Sequence, residues 1–176
     1  MRVWAVAVAA AAVLLAGHDF GGIVHPGLGR PTLNLGRIES GLNLNSVPDR
    51  AVLGIDVRPV PGQDGRSVLR ELAALLPEAE LELLVDCPPL WSEGGDDWLA
   101  YVRERAAAVS GQVSDLGPVP FATDGGYLTP AYGGPPTVVL GPGETEQAHK
   151  TDEWCSLRRI EQAAELYTEL ADNWCR

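Results

Sequence analysis

The residues best placed to do chemistry lie in one loop, Gly141-Pro142-Gly143-Glu144-Thr145-Glu146-Gln147-Ala148-His149-Lys150-Thr151-Asp152-Glu153-Trp154. It holds an imidazole, His149, among the carboxylates Glu144, Glu146, Asp152 and Glu153. Nearby carboxylates orient an imidazole and raise its basicity, which suits a metal ligand or a proton carrier. Gly141 and Gly143 predict a tight turn, and Pro142 between them removes a donor and fixes φ. The competing interpretation is a solvated loop whose histidine does nothing, and composition by itself favours it.

The elements that must hold this loop are legible on either side. Thr137-Val138-Val139-Leu140 reads as a buried strand delivering it, and an amphipathic helix from about Ser156 carries the chain away. In α/β proteins a loop at the end of such a strand is a usual place for a site. The last helix is expected to bury Ile160, Ala163, Ala164, Tyr167, Leu170, Ala171 and Trp174 on one stripe. Upstream, Asp96 or Asp97 can cap a helix bearing Trp98, Leu99, Val102, Ala106 and Val109, which Gly111 ends. Val119 to Ala122 reads as a short strand, followed by Thr123-Asp124-Gly125-Gly126 and a helical turn to Thr129-Pro130.

Earlier in the chain, the run from Val3 to Ala16 is apolar and alanine-rich. It reads either as a buried helix or, behind Met1-Arg2, as a secretory signal; it is short for a membrane span. His18 to Arg30 is glycine-rich loop. Pro31 to Ile38 alternates as a strand, with Leu33, Leu35 and Arg37 on one side and Thr32, Asn34 and Gly36 on the other. Ser40 to Arg50 is a connection rich in turn formers. Ala51 to Arg58 is a second strand, with Asp56 and Arg58 on its polar face. Asp64 can cap a helix carrying Val68, Leu69, Leu72, Leu75 and Leu76, which Pro77 stops. Leu81, Leu83 and Val85 predict a third strand. The order helix, strand, strand, helix, strand is a split β-α-β arrangement with its opening strand absent. Cys87-Pro88-Pro89 marks a boundary, giving domains at 1–87 and 88–176.

Composition narrows the function classes. The chain of 176 residues has 24 acidic and 13 basic side chains, a net charge of −11. That argues against nucleic acid, whose phosphates need basic patches, and against docking on an anionic membrane. Cys87, Cys155 and Cys175 are few, odd in number and not in C-x-x-C spacing. They fit a reducing, cytoplasmic compartment better than a disulfide framework.

Three stretches together resemble the acetylornithine deacetylase, succinyl-diaminopimelate desuccinylase and aminoacylase family of zinc metallohydrolases. They are Asn45-Ser46-Val47-Pro48 with Asp56-Val57-Arg58, Thr123-Asp124-Gly125-Gly126-Tyr127-Leu128-Thr129-Pro130, and Pro136 to Cys155 around His149. The resemblance implies an α/β chain: a partial ferredoxin-like lid, or dimerisation, domain of α+β type, then the C-terminal segment of a zinc-exopeptidase-like catalytic domain. It implies hydrolysis of amide bonds in N-acyl amino acids or small peptides, by two zinc ions with a bridging water and a glutamate base. It implies homodimers formed through the lid, and a helix, not a signal, at residues 3–16. By the same resemblance His149 matches the last zinc ligand. Asn45 and Arg58 match lid residues that grip a substrate carboxylate, as a guanidinium does well. Thr123, Asp124, Gly141 and Gly143 match loops lining the substrate cleft. For Arg58 the plain alternative is a pairing partner for Asp56.

The chain also departs from the family. It has no H-x-D motif and no adjacent Glu-Glu pair, so the other zinc ligands and the general base lack counterparts. A catalytic zinc takes about three protein ligands. The expectation is therefore the C-terminal half of such a hydrolase, inactive by itself. The rival expectations are a non-enzymatic dimerisation or interaction module and, with residues 1–17 cleaved, an exported binding protein.

Overall fold

The computed structural model describes residues 4–111 and 117–175, with side chains from Ala7 onward. Val3 of the expected first helix lies outside these residues. The chain is mixed α/β and divides into two compact units, 1–89 and 90–176.

In the first unit, α1 (Trp4–Ala16) contains no charged residue and no glycine or proline, and it ends where Gly17 follows. Alanine favours helix strongly, but an almost uniform apolar surface has no single face to bury. Leu15 is fully buried while Val13 and Leu14 remain exposed. Past the helix, the His18 ring meets Phe20 edge-on at 4.7 Å and its Nε2 lies 3.2 Å from Glu71 Oε2. Phe20 is buried, and its carbonyl accepts from Nε2 of Gln63, the buried polar residue of this unit.

Strands β1 (Thr32–Ser40) and β2 (Ala51–Arg58) pair antiparallel. Their register shifts between Leu35 and Arg37, so Gly36 is bulged. The bulge corrects the simple alternation: Arg37 pairs with Gly54 and Ile38 with Leu53. One extra residue reverses the facing of everything after it. Arg37 therefore joins Thr32, Asn34, Asp56 and Arg58 on the polar face, and Ile38 moves to the side of Leu53. Gly54 leaves room here, because a Cβ on it would stand a tight 3.1 Å from the Arg37 Cβ. Helix α2 (Gly65–Leu75) opens on a capping box: Asp64 Oδ1 accepts from Ser67 N–H at 2.6 Å, and Asp64 N–H donates to Ser67 Oγ. Leu15, Phe20, Val68 and Leu72 form the core, against Leu33, Leu35, Leu53, Ile55 and Val57 of the sheet. Each such buried side chain is worth about 1.5–3 kcal/mol.

The second unit is built on α3 (Asp97–Ser110) and α5 (Leu157–Trp174). Asp96 caps α3 by accepting from Trp98 N–H at 2.8 Å, and Gly111, in the left-handed region, closes it. Val102, Leu166 and Leu170 are its buried centre, with Trp98, Val138 and Leu140 against them. Leu170 of the expected stripe of the last helix is buried as expected, but the rest of the stripe is corrected. Leu166 and Leu170 face α3, while Ile160, Tyr167 and Trp174 stay exposed. Arg105 Nη2 reaches Glu169 at 2.7 Å and Gln162 Nε2 donates to Val109 O at 2.8 Å, so both polar ties also join these helices. A short helix α4 (Gly125–Ala131) lies between them in sequence.

Three expected strands do not form. Residues 81–85, 119–122 and 137–140 lie outside any sheet, and β1–β2 is the one sheet among the described residues. Alternation and β-branching favour an extended backbone, but a strand is defined by a paired neighbour, and these stretches have none.

Candidate functional site

The loop with His149 leaves the extended stretch 137–140, which is braced by a side chain where a sheet would use a neighbour. Ser92 Oγ accepts from Thr137 N–H and donates to Thr137 C=O, both at 2.8 Å. Tyr167 O–H donates to Leu140 C=O at 2.7 Å, tying its far end to α5. A 3-10 turn, Thr145–Gln147, follows. Glu144 Oε1 lies 2.6 Å from Arg159 Nη1 on α5, so that carboxylate is committed to an ion pair.

His149 is exposed and has φ of +63°; Asp152 has φ of +60°. These are left-handed conformations, uncommon outside glycine though less so for histidine and aspartate. Gly141 and Gly143 are neither left-handed nor crowded, since a Cβ on either would meet nothing within 4 Å. The tight turning expected of those glycines falls instead on His149 and Asp152. Backbone N–H of His149 donates to Glu153 Oε2 at 3.1 Å. Glu153 thus braces the main chain at His149 and not the imidazole.

The other expected site residues divide between the two units. Asn45 is exposed in the connection 41–50. Arg58 ends β2, with Nε 2.9 Å and Nη2 2.8 Å from Asp56 Oδ2, so it forms the pairing that was the plain alternative. Its Nη1 carries no partner among the described residues. Thr123 Oγ1 accepts from Gly125 N–H, and Asp124 C=O accepts from Tyr127 and Leu128 N–H; both residues therefore start α4. Sequence reasoning missed Ser92 and Arg159. Ser92 is 45 residues from Thr137 and no local signal marks it. Arg159 lies on the helix that follows the loop, where a cation near an acidic loop is a weak signal.

Among the described residues no three His, Cys, Asp or Glu side chains converge to hold a metal ion. His149 by itself does not meet the three-ligand requirement of a catalytic zinc, so the donor set present does not fit that ion. A groove of about 800 Å³ runs between α3 and α5 past Tyr101, Arg105, Glu165 and Glu169, and its lining includes none of the expected site residues. Among the described residues no helix is long and apolar enough to cross a membrane.

His149 thus stands in a loop between an extended apolar segment and an amphipathic helix, with no cluster of metal-ligating side chains around it among the described residues. The model of the peptidase family M20/M25/M40 matches residues 6–173, and the chain belongs to that family. It is similar to the acetylornithine deacetylases of Salmonella arizonae, Salmonella paratyphi B and Salmonella newport, at 32% identity over 159 residues. The match covers 82% of this chain and 38% of each relative, so the chain spans well under half their length.

Proposed function

We propose that this chain forms the C-terminal half of a metal-dependent amidohydrolase acting on N-acyl amino acids or small peptides, and that it does not complete the reaction by itself. The observation that carries this is the pairing of family membership across residues 6–173 with a site that, among the described residues, offers one histidine and no converging donors. In this reading residues 1–87 are the lid and 88–176 close the catalytic domain. His149 serves as one zinc ligand of a dinuclear site whose other ligands lie outside this sequence. Its left-handed backbone, held by Glu153, presents the ring outward into solvent. Arg58, fixed by Asp56 through two of its nitrogens, keeps Nη1 for a substrate carboxylate, with Asn45 beside it in role. Thr123, Asp124, Gly141 and Gly143 line the cleft.

The test is direct. The purified chain, incubated with zinc, should retain well below one ion per chain after desalting and show no release of acetate from N-acetylornithine. Turnover with stoichiometric zinc overturns the proposal. A second reading, a homodimeric interaction module, is favoured by the two open edges of the β1–β2 sheet, which offer unpaired donors and acceptors. Light scattering of the purified chain separates the two: a clean monomer at every concentration removes the module.

A further inference from the structure

Besides His149 the chain has two histidines, His18 and His25, and both stand in the segment that joins α1 to β1. Their rings are held in opposite ways. Nε2 of His18 lies 3.2 Å from Glu71 Oε2 on α2, a contact that a protonated ring keeps as a donor to a carboxylate. Nδ1 of His25 instead accepts two main-chain N–H groups, from Gly27 at 3.2 Å and from Leu28 at 3.1 Å. A neutral imidazole has one donor nitrogen and one acceptor, so here the proton sits on Nε2 and Nδ1 is bare. A doubly protonated ring has no acceptor at all. Around the ring the main chain closes on itself. His25 N–H donates to Gly29 C=O at 2.7 Å, and Gly29 N–H donates to His25 C=O at 2.8 Å. Gly29, with φ of +76°, supplies the left-handed residue that so tight a return needs. Four hydrogen bonds of the turn 25–29 thus run through one histidine, and two of them require its ring to be neutral. The ring is half-buried, within reach of water.

We propose that residues 25–29 form a pH-operated latch, which opens when the His25 ring takes up a second proton, at Nδ1, and closes when the ring loses it. Imidazole changes charge between about pH 5 and 8. The new Nδ1–H points at the Gly27 and Leu28 N–H groups, so two attractions become a clash of donors. The closed turn therefore holds one proton fewer than the open one, and falling pH favours the open form. The opening is local. On one side Phe20 is buried and its C=O accepts from Gln63; on the other, β1 is paired with β2 from Thr32 onward. Acid loosens the turn while His18 stays tied to Glu71. The other charged groups of the neighbouring elements are engaged elsewhere. Asp19 and Arg30 pair with each other, α1 carries no charge, and Arg66 and Arg70 of α2 act on the Asp64 cap. On the sheet Arg37 pairs with Glu39 and Arg58 with Asp56. Thr32, just beyond the turn, pairs with Arg58, so the latch borders that end of the sheet.

Amide exchange in the full chain, followed by NMR from about pH 8 to about pH 5, tests the latch. Each rate is divided by that of an unstructured peptide at the same pH, which leaves the protection due to structure. Protection at Gly27 and Leu28 should fall at least about tenfold over this range, in step with proton uptake seen in the His25 ring shifts. Val68 and Leu72 of α2 should keep theirs and so certify the fold. His25→Asn offers an acceptor oxygen that does not ionise, and its protection should stay flat. His18→Gln should fall as the parent does. Flat protection in the parent, an equal fall in His25→Asn, or a fall that disappears in His18→Gln overturns the proposal. Should His25→Asn lose the turn or the fold at every pH, the parent decides: protection that falls out of step with the His25 ring overturns the latch, and protection that falls with it supports it.

Discussion

At the scale of single residues the most informative fact is that a histidine, not a glycine, takes the left-handed turn in the loop. A left-handed conformation costs a non-glycine residue roughly 1–2 kcal/mol, and such strain collects at functional positions where surroundings enforce it. At 149 the enforcing contact is the Glu153 carboxylate on the main-chain N–H. His149→Gly removes the strain but adds backbone freedom to the unfolded chain, worth about 0.5–1 kcal/mol, so it should leave stability nearly unchanged. His149→Val puts a β-branched side chain where φ is +63° and should cost upward of about 1 kcal/mol. Urea midpoints read the order. Equal midpoints for the valine variant and the parent mean the loop does not hold this conformation. The histidine itself was legible from its neighbours in sequence, but the role of those neighbours was not. Glu144 turns to Arg159 and Glu153 to the backbone, choices fixed only by folding.

At the scale of elements, what sequence revealed best was what depends on near neighbours. The caps at Asp64 and Asp96, the strand 51–58 and the stop after Leu75 are set by residues within one turn of each other. The bulge at Gly36 was hidden, because it depends on the opposite strand, where Gly54 pairs with Arg37 from seventeen places on. The three unpaired stretches were misread for the same reason: extended propensity is local and pairing is not. The α2 cap allows a sharp test. The Asp64 carboxyl is held below its ordinary value of 3.8, chiefly by the Ser67 backbone N–H, then by the Ser67 hydroxyl, with Arg70 and Arg66 adding to the effect. A lowered value means the ionised form is preferred when folded. The gain is therefore present above pH 3.8 and lost as pH falls through the lower, folded value. Asparagine caps about as well but cannot ionise. The stability difference between the parent and Asp64→Asn should thus favour the parent at neutral pH and vanish in strong acid. A difference that stays constant across that range means the charge does nothing at this cap.

At the scale of the whole molecule, charge is the property that sequence fixes completely and folding rearranges least. Both units carry ion pairs at or near the surface, Arg37 with Glu39 and Arg58 with Asp56 in one, Arg159 with Glu144 and the half-buried Arg105 with Glu169 in the other. The exposed ones contribute roughly 0–1 kcal/mol each, and salt weakens them. Against them stands an excess of acidic over basic side chains that leaves −11 on 176 residues, and self-repulsion of that excess opposes the compact state. Salt weakens repulsion too, and it reaches further: the screening length falls from about 30 Å at 0.01 M to about 3 Å at 1 M, so long-range terms among scattered carboxylates disappear before contact pairs do. Repulsion is the larger sum here, because every base that pairs still leaves many acids unmatched. Thermal unfolding in sodium chloride should therefore move upward by a few degrees between 0.01 and 0.5 M, each kcal/mol shifting the midpoint of a unit this size by about 4–8 °C. A midpoint that falls with salt means the ion pairs outweigh the repulsion, and then the acidic surface is already compensated within the fold.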